Sequence, residues 1–180
     1  MEQESELLTA RLAAGERAAA EELVNKYYER IYLFFRRMGH NRQTSEDLTQ
    51  ECFLKVWQHV GQLKYSGQIG SWLYRIAGNT SKSYWRKNRH YAILECDIEI
   101  PDIKQDGSNA VEHAEQLCRV KNAVAGLPMK YRQAVVLHYL QQLTIIESAE
   151  AMGIREGTFK SRLNRALKIL QQAVEKPADR

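Results

Sequence analysis

Arg155, Thr158, Ser161, Arg162, Arg165 and Lys168 recur about every third residue near the C-terminal end of the chain. Wound at about 100° per residue, they share one side of a helix. Phe159, Leu163, Ala166, Leu167 and Leu170 fall on the opposite side, as a core-facing stripe should. The polar row offers guanidinium, ammonium and hydroxyl donors, and Glu156 is the one acid nearby. Its chemistry is binding rather than bond-making: a polyanion is the partner such a row fits, and DNA phosphate is the commonest. A merely solvated helix face has the same composition, so the residues upstream must decide.

They favour DNA. Thr144 and Glu147 are spaced as a capping box opening a short helix that stops at Gly153. A tight turn through Gly157 is expected to lead into the basic helix. A helix, a short glycine-bearing turn and a second helix with a polar outer face have helix-turn-helix spacing, in which the second helix enters a major groove. A second basic cluster lies earlier, in "KSYWRKNRH" at 82–90, with four Lys/Arg and no acid. Here Tyr65, Trp72, Tyr74, Tyr84 and Trp85 are interleaved with Arg75, Lys82, Arg86, Lys87 and Arg89. Rings among cations can stack unpaired bases and hold their backbone, although Trp72 is assigned to packing before stacking. Between the basic clusters, residues 95–115 set seven acids against Lys104 alone.

The elements that must position these groups are helices almost throughout. A pattern over 4–14 ends at Gly15, and a longer one through Leu23, Tyr27, Ile31, Phe34 and Phe35 closes at Gly39. Thr44 and Asp47 are placed to form a capping box for a helix with the stripe Leu48, Cys52, Phe53, Val56, Trp57 and Val60. Gly61, Gly67 and Gly70 interrupt before a helix over about 71–88. "AILECDIEI" alternates briefly, but Pro101 and the acids favour an extended linker over a strand. Leu117, Val120, Val124 and Leu127 mark the next helix. Pro128 is read as the first residue of the one after, which carries Val135, Val136, Leu137 and Leu140. The fold class is therefore all-α: two small helical domains joined by an extended acidic linker, the second containing the helix-turn-helix.

Composition bounds the function. With 180 residues, 44% of them apolar, the chain can bury a core, and its 26 Lys/Arg barely exceed its 22 Asp/Glu. Where charge sits matters more than its sum. Cys52, Cys96 and Cys118 form no CxxC pair; Cys52 is read as a small buried hydrophobe, and a redox or metal role for Cys96 or Cys118 is disfavoured by spacing. No stretch approaches the ~20 apolar residues of a membrane span, so a cytoplasmic, reduced setting is expected. There is no HExxH, no Gly-rich phosphate loop and no nucleophile motif. His40, His59, His90, His113 and His138 are dispersed and read as structural or surface. The expectation is a non-enzyme with no metal and no cofactor.

Three longer stretches resemble one family. "LPMKYRQAVVLHYLQQLTIIESAEAMGIREGTFKSRLNRALKIL" is similar to the C-terminal promoter-binding domain of extracytoplasmic-function sigma factors of bacterial RNA polymerase. The matching positions include Leu127-Pro128, Arg132, Leu137, Ala149-Glu150, Gly153, Gly157-Thr158, Lys160 to Leu163 and Arg165-Ala166. "SEDLTQECFLKVWQHV" resembles that family's polymerase-binding helix, and "SWLYRIAGNTSKSYWRKNRH" its promoter-melting and −10-reading segment. The loop "LKYSGQIG" corresponds to the −10 recognition loop, where a rigidly held loop can pocket a flipped base.

The resemblance implies a division into 1–92 (core polymerase binding, −10 recognition and melting), a 93–113 linker, and 114–180 (−35 recognition). It implies polymerase contacts from Asp47, Gln50, Glu51, Leu54 and Lys55, and −10 contacts from Lys64, Tyr65, Ser66, Gln68, Asn79, Lys82, Arg86 and Lys87. The −35 contacts would come from Arg155, Thr158, Lys160, Ser161, Arg162 and Arg165. The implied partners are the β′ clamp and β flap of core RNA polymerase, promoter DNA and an anti-sigma factor. Ser83, Ser148 and Tyr65 depart from the family's usual Asp, larger aliphatic and small residues; Ser148 should loosen packing beneath the recognition helix. The alternative is a stand-alone helix-turn-helix regulator, which leaves the two N-terminal stretches without a use.

Overall fold

The structure is a computed structural model describing residues 2–60, 69–88, 98–100 and 110–175. The described residues form α1 (Glu2–Ala13), α2 (Arg17–Arg37), α3 (Arg42–His59), α4 (Ile69–Lys87), α5 (Ala110–Ala125), α6 (Met129–Val135), α7 (Ile145–Met152) and α8 (Glu156–Glu175). A π-helical turn, Val136–Leu140, continues α6. No strand occurs among them, and residues 98–100 are neither helix nor strand. The all-α expectation holds.

Each helix end has a local cause. Gly15, Gly39 and Gly153 take positive φ (77°, 92° and 64°), a conformation that costs glycine nothing and reverses the chain after α1, α2 and α7. The α7 capping box forms as expected: Thr144 Oγ1 accepts from the Glu147 N–H at 3.2 Å and Glu147 Oε2 accepts from the Thr144 N–H at 2.8 Å.

Three local expectations need correction. α3 begins at Arg42, capped by Asn41, whose Oδ1 accepts from the Thr44 N–H at 2.8 Å. Asn41 is as good a cap as threonine and lies nearer the preceding turn, so Thr44 falls inside the helix. Pro128 is the N-cap of α6, with Met129 as first helical residue. Gly157 lies within the first turn of α8 and not in the connecting turn, which is complete by Arg155.

Packing builds one apolar cluster. α1 rests on α2, α2 on α3 and α4, and α3 on α4; in the second half, α8 gathers α5, α6 and α7. Phe34, Phe35 and Ile31 of α2 are fully buried, as are Leu137 and Phe159. Each such side chain contributes roughly 1.5–3 kcal/mol of transfer free energy. The cluster does not stop between halves: it runs from Leu8 through Leu73 and Ala77 to Ala149, Phe159 and Ala166. The most extensive helix–helix packing in the described structure joins α4 to α7.

Candidate functional site

The outer face of α3 is assembled by helical spacing alone. Asp47, Gln50, Glu51 and Leu54 are exposed, and Lys55 is half-buried. Lys55 Nζ pairs with Glu51 one turn away at 2.6 Å and donates to Thr80 Oγ1 at 3.1 Å. Leu54 is 64% exposed, and Trp57, read from the sequence as part of the core stripe, is 49% exposed beside it. Leu48, Cys52 and Val56 bury the opposite side. The spacing of 47, 50, 54 and 57 is itself a helical stripe, so Trp57 was findable by extending the polar face by three residues. An exposed leucine and tryptophan ringed by charges is the composition of a protein-docking face.

On α4, Asn79, Lys82, Arg86 and Lys87 are all exposed. Asn79, Lys82 and Arg86 line an open groove of about 520 Å³ together with Lys55, His59, Ile76, Thr80 and Ser83. Partial burial, and then the nearby Arg162, push the Lys82 ammonium below its usual value. A groove with this many cations and hydroxyls suits a phosphodiester backbone. Lys64, Tyr65, Ser66 and Gln68 lie outside the described residues.

The aromatic assignment changes. Tyr74 is buried, its ring edge-on to Phe34 and its hydroxyl pushed up to about 12 by burial. Trp85 stacks on buried His40 at 4.7 Å and Tyr84 meets the same ring edge-on at 5.1 Å. These rings pack around a histidine instead of standing free for bases. The alternation of ring and cation along one helix cannot separate those two uses. Trp72 is partly buried against the core, as its packing assignment requires. His40 Nε2 meets Ser81 Oγ at 2.8 Å, and burial followed by the charge of Arg132 pulls its pKa down to about 3. Cys52 is buried with its thiol pushed up to about 12, and Cys118 is exposed.

Arg155, just before α8, and Thr158, Lys160, Ser161 and Arg165 on it are exposed, and Arg162 is half-buried. Phe159, Leu163 and Ala166 anchor the other side; Leu167 is exposed and Leu170 only partly covered, so the apolar stripe is narrower than the sequence implied. Ser161 returns its hydroxyl to the Gly157 carbonyl at 2.9 Å. Beneath α8, Ser148 is fully buried and its hydroxyl has no hydrogen-bond partner among the described residues, a polar group left unsatisfied rather than a gap in the packing.

Residues 23–91 match the family model of sigma-70 region 2, and residues 119–170 that of sigma-70 region 4. Over 155 residues the chain is 31% identical to the ECF RNA polymerase sigma factor SigM of Bacillus subtilis, covering 84% of this chain and 92% of that one. The chain belongs to the ECF sigma factors. It is also 29% identical over 168 residues to the sigma factor SigW of the same organism, covering 88% of this chain and 90% of SigW. The fold of this sigma factor is that of CnrH, solved in complex with the cytosolic domain of CnrY, at TM-score 0.72 and 19% identity over 95% of this chain and 97% of that one. It is also that of RpoE from Bartonella quintana, solved with the anti-sigma factor NepR, at TM-score 0.64 and 22% identity over 89% and 98%. As a sigma factor of RNA polymerase it acts in transcription initiation, and among the described residues no helix is long and apolar enough to cross a membrane.

Proposed function

We propose that this sigma factor divides its work between its halves. Residues 1–92 dock on core polymerase and hold the −10 strand, residues 93–113 link, and residues 114–180 read the −35 duplex. The observation that carries the docking reading is the exposed α3 face, where Asp47, Gln50, Glu51 and Leu54 surround an apolar centre shared with Trp57. That face is assigned to the β′ clamp of the polymerase, and the second half is assigned to the β flap. Asn79, Lys82, Arg86 and Lys87 take the −10 backbone, with the 64–68 loop taking a base. Arg155, Thr158, Lys160, Ser161, Arg162 and Arg165 take the −35 element, arginine being suited to bidentate guanine contact. Bond-making stays with the polymerase. Because two proteins of the same fold were solved with partner proteins, one of them a sigma factor with an anti-sigma factor, a regulator of that class is assigned to this chain as well.

The test is co-elution with bacterial core RNA polymerase on size exclusion. Wild type is expected to co-elute. Leu54→Asp is expected to weaken assembly at least tenfold at unchanged stability, since Leu54 is already in water. Equal assembly by folded Leu54→Asp protein would remove α3 from the interface, and no co-elution of wild type would favour the stand-alone regulator.

A further inference from the structure

The groove beside α4 holds two lysines, and they stand in different surroundings. Lys55 Nζ is 2.6 Å from a Glu51 carboxylate oxygen and donates to Thr80 Oγ1 at 3.1 Å. Lys82 lines the same groove, and among the described residues no carboxylate pairs with it. Its side chain gives up part of its hydration, and the charge that acts on it is the like charge of Arg162. Both effects disfavour the ammonium, so more of Lys82 stands as free amine than in an ordinary lysine. A free amine is a nucleophile.

Around that amine the groove offers what an anion needs. Arg86 follows Lys82 by one helical turn, lines the same space and is exposed. Among the described residues no carboxylate pairs with Arg86 either. Ser83 adds a hydroxyl and Asn79 an amide. A guanidinium holds phosphate through parallel N–H donors, and here it stands one turn from an amine able to attack the atom next to that phosphate.

We propose that Lys82 is a modification site, acylated by small acyl phosphates that the groove seats through Arg86. The Lys82 ammonium first gives one proton to water. Its Nζ then attacks the carbonyl carbon of the acyl group, forming an N–C bond as the C–O bond to phosphate breaks. The second Nζ proton leaves with the phosphate, which departs as hydrogen phosphate, and nothing is oxidised or reduced. The amide left behind carries no charge. On the division of work proposed above, acylation therefore takes one cation from the −10 face and weakens the hold on the opened strand.

The test is acetylation of the full chain by acetyl phosphate, followed residue by residue with mass spectrometry. The N-hydroxysuccinimide ester of acetate, which carries no phosphate, is the second reagent. At any one lysine the ratio of the two rates cancels the amine's own nucleophilicity and reports phosphate seating. Lys87, Lys130 and Lys168 are the comparators, all exposed and none of them lining the groove. The Lys82 ratio is expected to exceed theirs roughly fivefold, the worth of one exposed ion pair. Arg86→Gln should bring it down to theirs. Excess inorganic phosphate at matched ionic strength should slow acetyl phosphate at Lys82 alone. A Lys82 ratio no higher than the comparators overturns the proposal, and so does one that Arg86→Gln leaves unchanged. The consequence is read separately. Assembled with core polymerase, the acetylated chain should bind a single-stranded −10 oligonucleotide more weakly, its log affinity falling less steeply with log salt by about 0.7. Selective acetylation that leaves this binding untouched keeps the modification site and removes Lys82 from the −10 face.

Discussion

His40 shows how much one side chain can hold. Its ring is edge-on to Phe35 and stacked on Trp85, its Nε2 is bonded to Ser81, and Arg36 donates to its carbonyl at 2.8 Å. Burial makes protonation costly, and the neighbouring Arg132 adds to the cost, leaving a native pKa of about 3 against about 6.5 unfolded. The sign follows from proton uptake: above pH 6.5 both states are neutral, and below it only the unfolded chain takes the proton. Stability from this group is therefore full above pH 6.5 and falls by ~1.4 kcal/mol per unit toward pH 3. Between pH 7.5 and 5.5, urea unfolding of the wild type should lose about 1.4 kcal/mol more than that of His40→Gln. Equal losses would mean that His40 titrates normally in the native state. Nothing in the sequence marks His40 off from the other four histidines, because its environment comes from α2 and α4 at once.

At the scale of the element, the helix-turn-helix stands on two short-range devices that are legible in the sequence, the Thr144–Glu147 box and Gly153. The turn works only if Gly153 stays at φ 64°, a region where a side chain costs roughly 1–2 kcal/mol. A Cβ there would make ordinary contact with Arg75 at 3.5 Å, so the cost of Gly153→Ala is conformational and not steric. Gly153→Ala should lower unfolding stability by about 1 kcal/mol, and Thr144→Ala by a similar amount through the lost cap. Chemical denaturation checks both, and an unchanged Gly153→Ala would show that the turn does not depend on the left-handed residue. The α3 cap was misread for a local reason: Asn41 and Thr44 are both good caps three residues apart, and only the path out of Gly39 chooses between them.

The whole molecule behaves as one unit because its apolar cluster crosses the seam between its two halves. The free chain should accordingly unfold in a single cooperative transition. Gly78→Leu, by parting the halves, should split it in two by calorimetry while each half stays helical. Two transitions in the wild type would show that the seam adds little to the stability of either half.

The sequence by itself determined the helices, most of their ends, the two basic faces and the family, because these depend on residues three or four apart or on contiguous motifs. The exposed stripe on α3 was legible for the same reason, except that Trp57 was assigned to the core where apolar character and helical position disagreed. The tertiary structure alone decided which rings are free and which surround His40, and it alone closed the two halves on each other. Gln133 against Gly78, Glu150 against Ser71 and Arg132 on Met38 are pairs far apart in the chain. No local period encodes such a pair; it exists only once both helices have folded and their faces meet.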